Sequence, residues 1–132
     1  MTSVGIIANP RAGKDIRRLV AYGSVLDTQE KVDIVRRAIL GLAGAGVDEV
    51  VLFPDLVGIG KRALAGINSL LRLAPRFLDM PVADAASDST RAAALMHEQG
   101  VSCVIVIGGD GTNRVVTKGC GPVPLVPLST GT

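Results

Sequence analysis

The sequence predicts an α/β domain: an open, doubly wound parallel sheet with helices on both faces. Short aliphatic runs alternate with stretches of helical period, in the order strand, helix, strand, helix, strand, helix, strand, which is the pattern of a parallel sheet with crossover helices. Apolar residues make up 48% of the chain and aromatic ones only 2%, so the core is built from Val, Ile, Leu and Ala, as in strands buried on both faces. The 16 glycines exceed the usual share of about 7%. Many follow apolar runs, where a backbone turns tightly or comes close to a ligand.

The elements follow in order. Val4 to Ala8 is a buried first strand ended by Asn9-Pro10. Asp15 to Ala21 is a short helix. Asp27-Thr28-Gln29-Glu30 has the spacing of a capping box, and Val32, Val35, Ile39 and Leu42 continue behind it at helical spacing until Gly44 and Gly46. Asp48 to Phe53 is the second strand, stopped by Pro54. Leu56 to Leu73, with Ile59, Ala63, Ile67 and Leu70, is the next helix. Arg76 to Val82 is a weaker third strand. Ser87 or Ser89 caps a helix that runs to Gln99, with Gly100 as its stop. Val101 to Ile107 is the clearest strand, Thr112 to Lys118 a short helix, and Leu125 to Leu128 one more strand.

Composition bounds the function. The 132 residues suit one α/β domain. The chain is expected to be truncated at its C-terminal end, because Ser129-Thr130-Gly131-Thr132 follows a strand where a ligand loop would begin. A net charge of +2, from 14 basic and 12 acidic residues without any basic run, gives no general attraction to nucleic acid or membrane. No apolar stretch is long enough to span a bilayer, and Met1 to Lys14 is not a signal peptide. Cys103 and Cys120 form no metal-type pair and read as reduced thiols in a cytoplasmic protein.

Three segments carry candidate chemistry, each following a strand. In Gly108-Gly109-Asp110-Gly111-Thr112-Asn113, glycines without side chains let N–H groups approach a phosphate, and a helix starting near Thr112 adds a positive dipole end. Asp110 projects a carboxylate into that space, to hold Mg²⁺ against phosphates or to accept a proton from an attacking hydroxyl. A plain Gly-Asp-Gly turn needs fewer glycines. Asn9-Pro10-Arg11-Ala12-Gly13-Lys14 offers a glycine and two cations, without the Walker spacing; the alternative is a basic surface turn. Pro127 to Thr132 brings hydroxyls and a glycine suited to phosphate or ribose. Asp84, Asp88 and Thr90 are expected as cap and surface residues, with the cleft as the alternative. His97 is expected on the surface, and Glu49 and Asp55 in solvent.

The Gly108 to Thr112 fingerprint at the end of an aliphatic strand resembles the superfamily of NAD kinases, diacylglycerol and sphingosine kinases, and phosphofructokinases. Three segments in the same order carry the resemblance: Asn9 to Gly13, Gly108 to Asn113, and Pro127 to Thr132. The opening from Val4 to Ile16 looks most like the ATP-NAD kinase-like subgroup, with which the acetoin-catabolism X proteins are associated. The resemblance covers essentially the whole chain and the first half of the family's architecture. It implies an α/β domain followed by a mostly β domain, with the active site between them. It implies ATP phosphates at Gly108, Gly109, Gly111, Thr112 and Asn113, with Asp110 as base or Mg²⁺ organiser. Asn9, Pro10, Arg11, Gly13 and Lys14 lie near the same nucleotide, and Ser129, Thr130, Gly131 and Thr132 begin a further binding segment. The implied reaction is phosphoryl transfer from ATP to the 2′-hydroxyl of NAD. The alternatives are a non-catalytic nucleotide-binding or regulatory protein linked to acetoin catabolism, or a lipid or sugar kinase. The family's later Asn-Glu pair and its β domain lie beyond Thr132, so this chain alone is not expected to turn over. Self-association through an exposed sheet edge stays open.

Overall fold

The computed structural model describes residues 1–8, 10 and 21–128, and for residues 21–27 and Asp110 the main chain only. Its sheet has five parallel strands: β1 (Ser3–Ala8), β2 (Glu49–Leu52), β3 (Ala74–Phe77), β4 (Cys103–Ile107) and β5 (Leu125–Leu128). The helices between them are α1 (Ala21–Gly44), α2 (Ile59–Leu64), α3 (Ser87–Glu98) and α4 (Asp110–Thr117), with a single 3₁₀ turn at Asn68–Leu70. Spatial order is β3-β2-β1-β4-β5. The chain first winds outward from β1, then returns to pair β4 on the other side of β1, so the winding reverses between β1 and β4.

Alternation along the strands divides the core in two. Val4, Ile6, Val50, Leu52, Ile105 and Ile107 face Val32, Val35 and Ile39 of α1 and Ile59 and Ala63 of α2. Ile7, Val51, Val104 and Val106 face Ala92, Ala93 and Met96 of α3 and Val116 of α4. The period of two along each strand sorts these residues onto opposite faces. Gly5 belongs to the second face, where a Cβ would meet the Met96 side chain, which would have to shift.

The helices depart from their expected bounds for local reasons. The helix expected at Asp15 lies outside the described residues up to Val20. α1 is already helical at Ala21, so the supposed capping box at Asp27–Glu30 sits inside it. Acceptor-then-Glu three residues apart is equally an ordinary helix face, and Thr28 is buried there. The C-terminus is as expected: Val47 N–H donates to Leu42 O and Gly46 N–H to Ala43 O, with Gly46 at φ 86°, a Schellman ending. The helix expected over Leu56–Leu73 is only six residues long. Ala65 is extended and Gly66 left-handed (φ 86°), which ends α2 before Ile67. Arg36 of α1 donates to the carbonyls of Ala63 (3.0 Å) and Arg62 (2.8 Å), capping the last turn of α2. β3 begins two residues earlier than expected and ends before Leu78. β5 has the expected bounds.

Both outer strands are blunted. Ala74 and Leu78 donate to Asp48 and Leu52 of the neighbouring strand, so Pro75 presents its N–H-less main chain outward. In β5, Pro124 and Leu128 accept from Val104 and Gly108, which turns Pro127 outward. Proline at the outward positions removes donors that another strand would need.

Candidate functional site

Ligands of open parallel sheets bind beyond the strand C-termini where the winding reverses. Here Ala8 pairs with Ile107 at the last position of the β1·β4 register. The last residues of β1 and β4 therefore lie side by side. The strands that precede two of the three candidate segments are thus neighbours in the sheet, which sequence spacing does not reveal. The third, Pro127 onward, leaves β5 next to Gly108, whose N–H donates to Leu128 O at 3.2 Å. Asn9, Arg11, Gly13, Lys14, Ser129, Thr130, Gly131 and Thr132 lie outside the described residues.

α4 starts two residues before the expected Thr112. Gly109 is its N-cap, extended at φ −105° and ψ −168°, without a side-chain cap. The Asn113 N–H donates to Gly109 O at 3.1 Å, the first bond of the helix. The amides of Asp110, Gly111 and Thr112 have no partner within the helix. Among the described residues, a Cβ built on Gly109 or Gly111 would meet no atom within 4 Å, and neither residue has positive φ. Among these residues neither packing nor backbone strain requires glycine at either position. Thr112 is buried at 6% exposure, turned into the fold. Asn113 Oδ1 is buried without a hydrogen-bond partner.

On the other side of β1 lies a cavity of about 150 Å³, walled by Pro10, Phe53, Leu56, Val82, Asp55 and Asp88 among others. Its carboxylates shape loops. Asp55, expected in solvent, is buried: its oxygens accept from Gly58 N–H (2.8 Å) and Ile59 N–H (3.0 Å) at the start of α2. Burial pushes its pKa above the usual carboxylate value, and these N–H bonds only partly offset it. Asp88 accepts from Ala83 N–H (2.9 Å) and Ala85 N–H (3.0 Å). Asp84, between them, is held at φ 61°, a conformation rare for a residue with a Cβ, and also lines the cavity. Asp84 and Asp88 thus lie at the cleft. Thr90 does not: its hydroxyl donates to Val115 O at 2.8 Å and closes α3 onto α4.

Sequence reasoning missed Lys31, which is fully buried, with Nζ donating to Pro10 O at 3.3 Å. The signal was its place on the buried stripe Thr28, Lys31, Val35. Glu49 was also expected in solvent, but it lies at the opposite end of the sheet, pairing with Arg76 at 3.0 Å and accepting from Ser3 Oγ. The Arg76 hydrogen bond holds its pKa below the usual value. His97 is exposed, as expected. Cys103 and Cys120 are unpaired, and burial raises the Cys103 thiol pKa, away from nucleophilic use. Among the described residues no group of three His, Cys, Asp or Glu is placed to hold a metal ion, and no helix is long and apolar enough to cross a membrane.

Fold and candidate site together define an open α/β domain whose parallel sheet reverses its winding between β1 and β4, with the Gly109-capped start of α4 following β4. The chain belongs to the ATP-NAD kinase N-terminal domain family, whose model matches residues 4–132. It is 43% identical over 136 residues, 98% of its length, to the "Acetoin catabolism protein X" of Cupriavidus necator. The chain spans 37% of the length of that relative. No solved structure matches it.

Proposed function

We propose that this chain is the nucleotide-binding part of an ATP-dependent phosphotransferase, with NAD as the acceptor through its 2′-hydroxyl. One observation carries the reading: among the described residues nothing crowds Gly109 and Gly111 at the start of α4, where β4 ends beside β1. Phosphate oxygens fit there. They would accept from the first-turn amides and meet the positive end of the helix dipole. Arg11 and Lys14, three and six residues past the end of β1, would add charge. The 150 Å³ cavity beside Pro10, with its apolar walls and carboxylate rim, suits a base or ribose better than another phosphate.

A Mg²⁺ ion normally keeps several waters and takes one or two carboxylates together with substrate phosphates. Asp110 is suited to that role, whereas both Asp55 and Asp88 are already engaged by main-chain N–H groups. Bound there, the ion would neutralise charge developing on the phosphates. Asp110 is equally suited to take the proton of the acceptor hydroxyl. Cytoplasmic location belongs to the same reading, supported by the two unpaired thiols. The outward prolines of both outer strands argue against self-association by sheet extension.

The name of the Cupriavidus relative favours a second reading: a nucleotide-binding protein that serves acetoin catabolism without phosphoryl transfer. Product formation at saturating ATP and NAD separates the two. In a full-length protein carrying this domain, NADP is expected to form, and Asp110→Asn to abolish it without loss of fold. Turnover by Asp110→Asn at the wild-type rate would overturn the assignment of Asp110; nucleotide binding without any product would favour the second reading.

A further inference from the structure

The buried face of α1 changes chemistry along its length. Val35 and Ile39 are fully buried against the sheet, with Val32 beside them at 2% exposure. Toward the N-terminus the same face carries Lys31 at 0% and Thr28 at 7%. Helix length explains the change. The 24 residues of α1 rise about 36 Å, whereas the six residues of β1 span roughly 20 Å. The first turns of α1 therefore pass beyond the strand ends, and there Lys31 Nζ donates to the carbonyl of Pro10. Enclosing an ammonium is costly, and a Met of similar length would fill the volume without that cost. What Lys31 provides and Met does not is a charged donor to the main chain leaving β1.

We propose that Lys31 is a positioning residue for the nucleotide site, fixing through Pro10 the direction in which the chain leaves β1. The proposal rests on the nucleotide-binding reading above. Pro10 is a lever in two directions. It walls the cavity beside Asp55 and Asp88, and it stands two residues past Ala8, whose partner Ile107 precedes Gly108. A displaced Pro10 carbonyl would shift the cavity wall. Lys31 acts through Pro10 and does not touch the ligand.

A role limited to stability makes a different forecast, so Lys31→Met is compared with the wild-type chain by three readouts: thermal midpoint, calorimetric Kd for Mg·ATP, and the carbonyl ¹³C resonance of Pro10. The Pro10 resonance is expected to move and Mg·ATP binding to weaken about tenfold, the scale of one lost charged hydrogen bond. Lys31→Arg is expected to recover part of the affinity. Should Lys31→Met not fold, Lys31→Gln keeps a neutral donor and is read the same way, with an intermediate loss expected. An unmoved Pro10 resonance, or wild-type affinity in a folded Lys31→Met, would overturn the proposal. A wild-type chain that binds no Mg·ATP sinks the nucleotide reading, and this role with it. Wild-type binding with an indifferent Lys31→Met sinks the Lys31 role alone.

Discussion

The two ends of the sheet use the same residue types for opposite purposes. At the ends where the strands begin, side chains pair with one another: Arg76 with Glu49 and Gln99, Ser3 with Glu49. The exception there is Asp48, which takes the main-chain N–H of Thr2 at 2.7 Å. At the ends where the strands finish, carboxylates hold main chain instead. Asp55 organises the start of α2, Asp88 organises the loop before α3, and Lys31 holds Pro10. Pairing at one end closes the surface. Main-chain capture at the other shapes loops around a cavity. The contrast separates an edge that serves stability from one arranged around space for a ligand.

The largest way to sharpen this contrast is chemical. Asp110→Asn in a full-length protein is expected to lower turnover by a factor of roughly 10²–10⁴ with an unchanged melting curve. A parallel fall in Tm would move Asp110 into the structural group.

Asp88→Ala attacks the loop-shaping role. It leaves the Ala83 and Ala85 N–H groups without their acceptor and is expected to cost about 2 kcal/mol in denaturant unfolding. A loss near zero would mean that water replaces the carboxylate and that Asp88 shapes nothing.

Gly111→Ala separates stability from binding at one position. Ala in a helical position is favoured over Gly by roughly 0.5–1 kcal/mol, and its methyl would meet no protein atom. The variant is therefore expected to unfold at slightly higher denaturant while Mg·ATP affinity drops roughly tenfold, the scale of one misfit carbon in a binding site. Unchanged affinity would mean that the space over α4 is not the phosphate site.

The smallest effect belongs to the opposite edge. The pKa of Glu49 is held below its ordinary value of 4.5 by Arg76. The stability it contributes is present above that pH and is lost as pH falls through the lower folded-state value. Glu49→Gln is expected to cost only about 0.5 kcal/mol at neutral pH and to flatten the acid limb, with nucleotide affinity untouched. A steeper acid limb in the variant would contradict the sign.

Much of this was legible in the sequence. The strand and helix alternation, the aliphatic core, the bounds of β5 and the glycine stops at Gly46 and Gly100 follow from local patterns. What was not legible is long-range. Strand order is set by crossovers that no window of sequence records, and only that order puts the end of β1 beside the end of β4. Asp55 was misread because its burial depends on main-chain N–H groups three and four residues ahead at a helix start. The six-residue α2 was overestimated because apolar period ran on through Gly66, whose left-handed turn overrides it. Lys31 was passed over because a lysine on an apolar stripe reads as a solvated end, whereas α1 overhangs the strands and encloses it.

The central claim is that nucleotide phosphates bind at the start of α4, beyond the paired ends of β1 and β4. Titrating Mg·ATP into this 132-residue chain by calorimetry, with Asp110→Ala alongside, tests it most directly. The account predicts saturable binding at one site that weakens in the variant. Heats that stay flat in a folded wild-type chain, or equal affinity in wild type and Asp110→Ala, would contradict it.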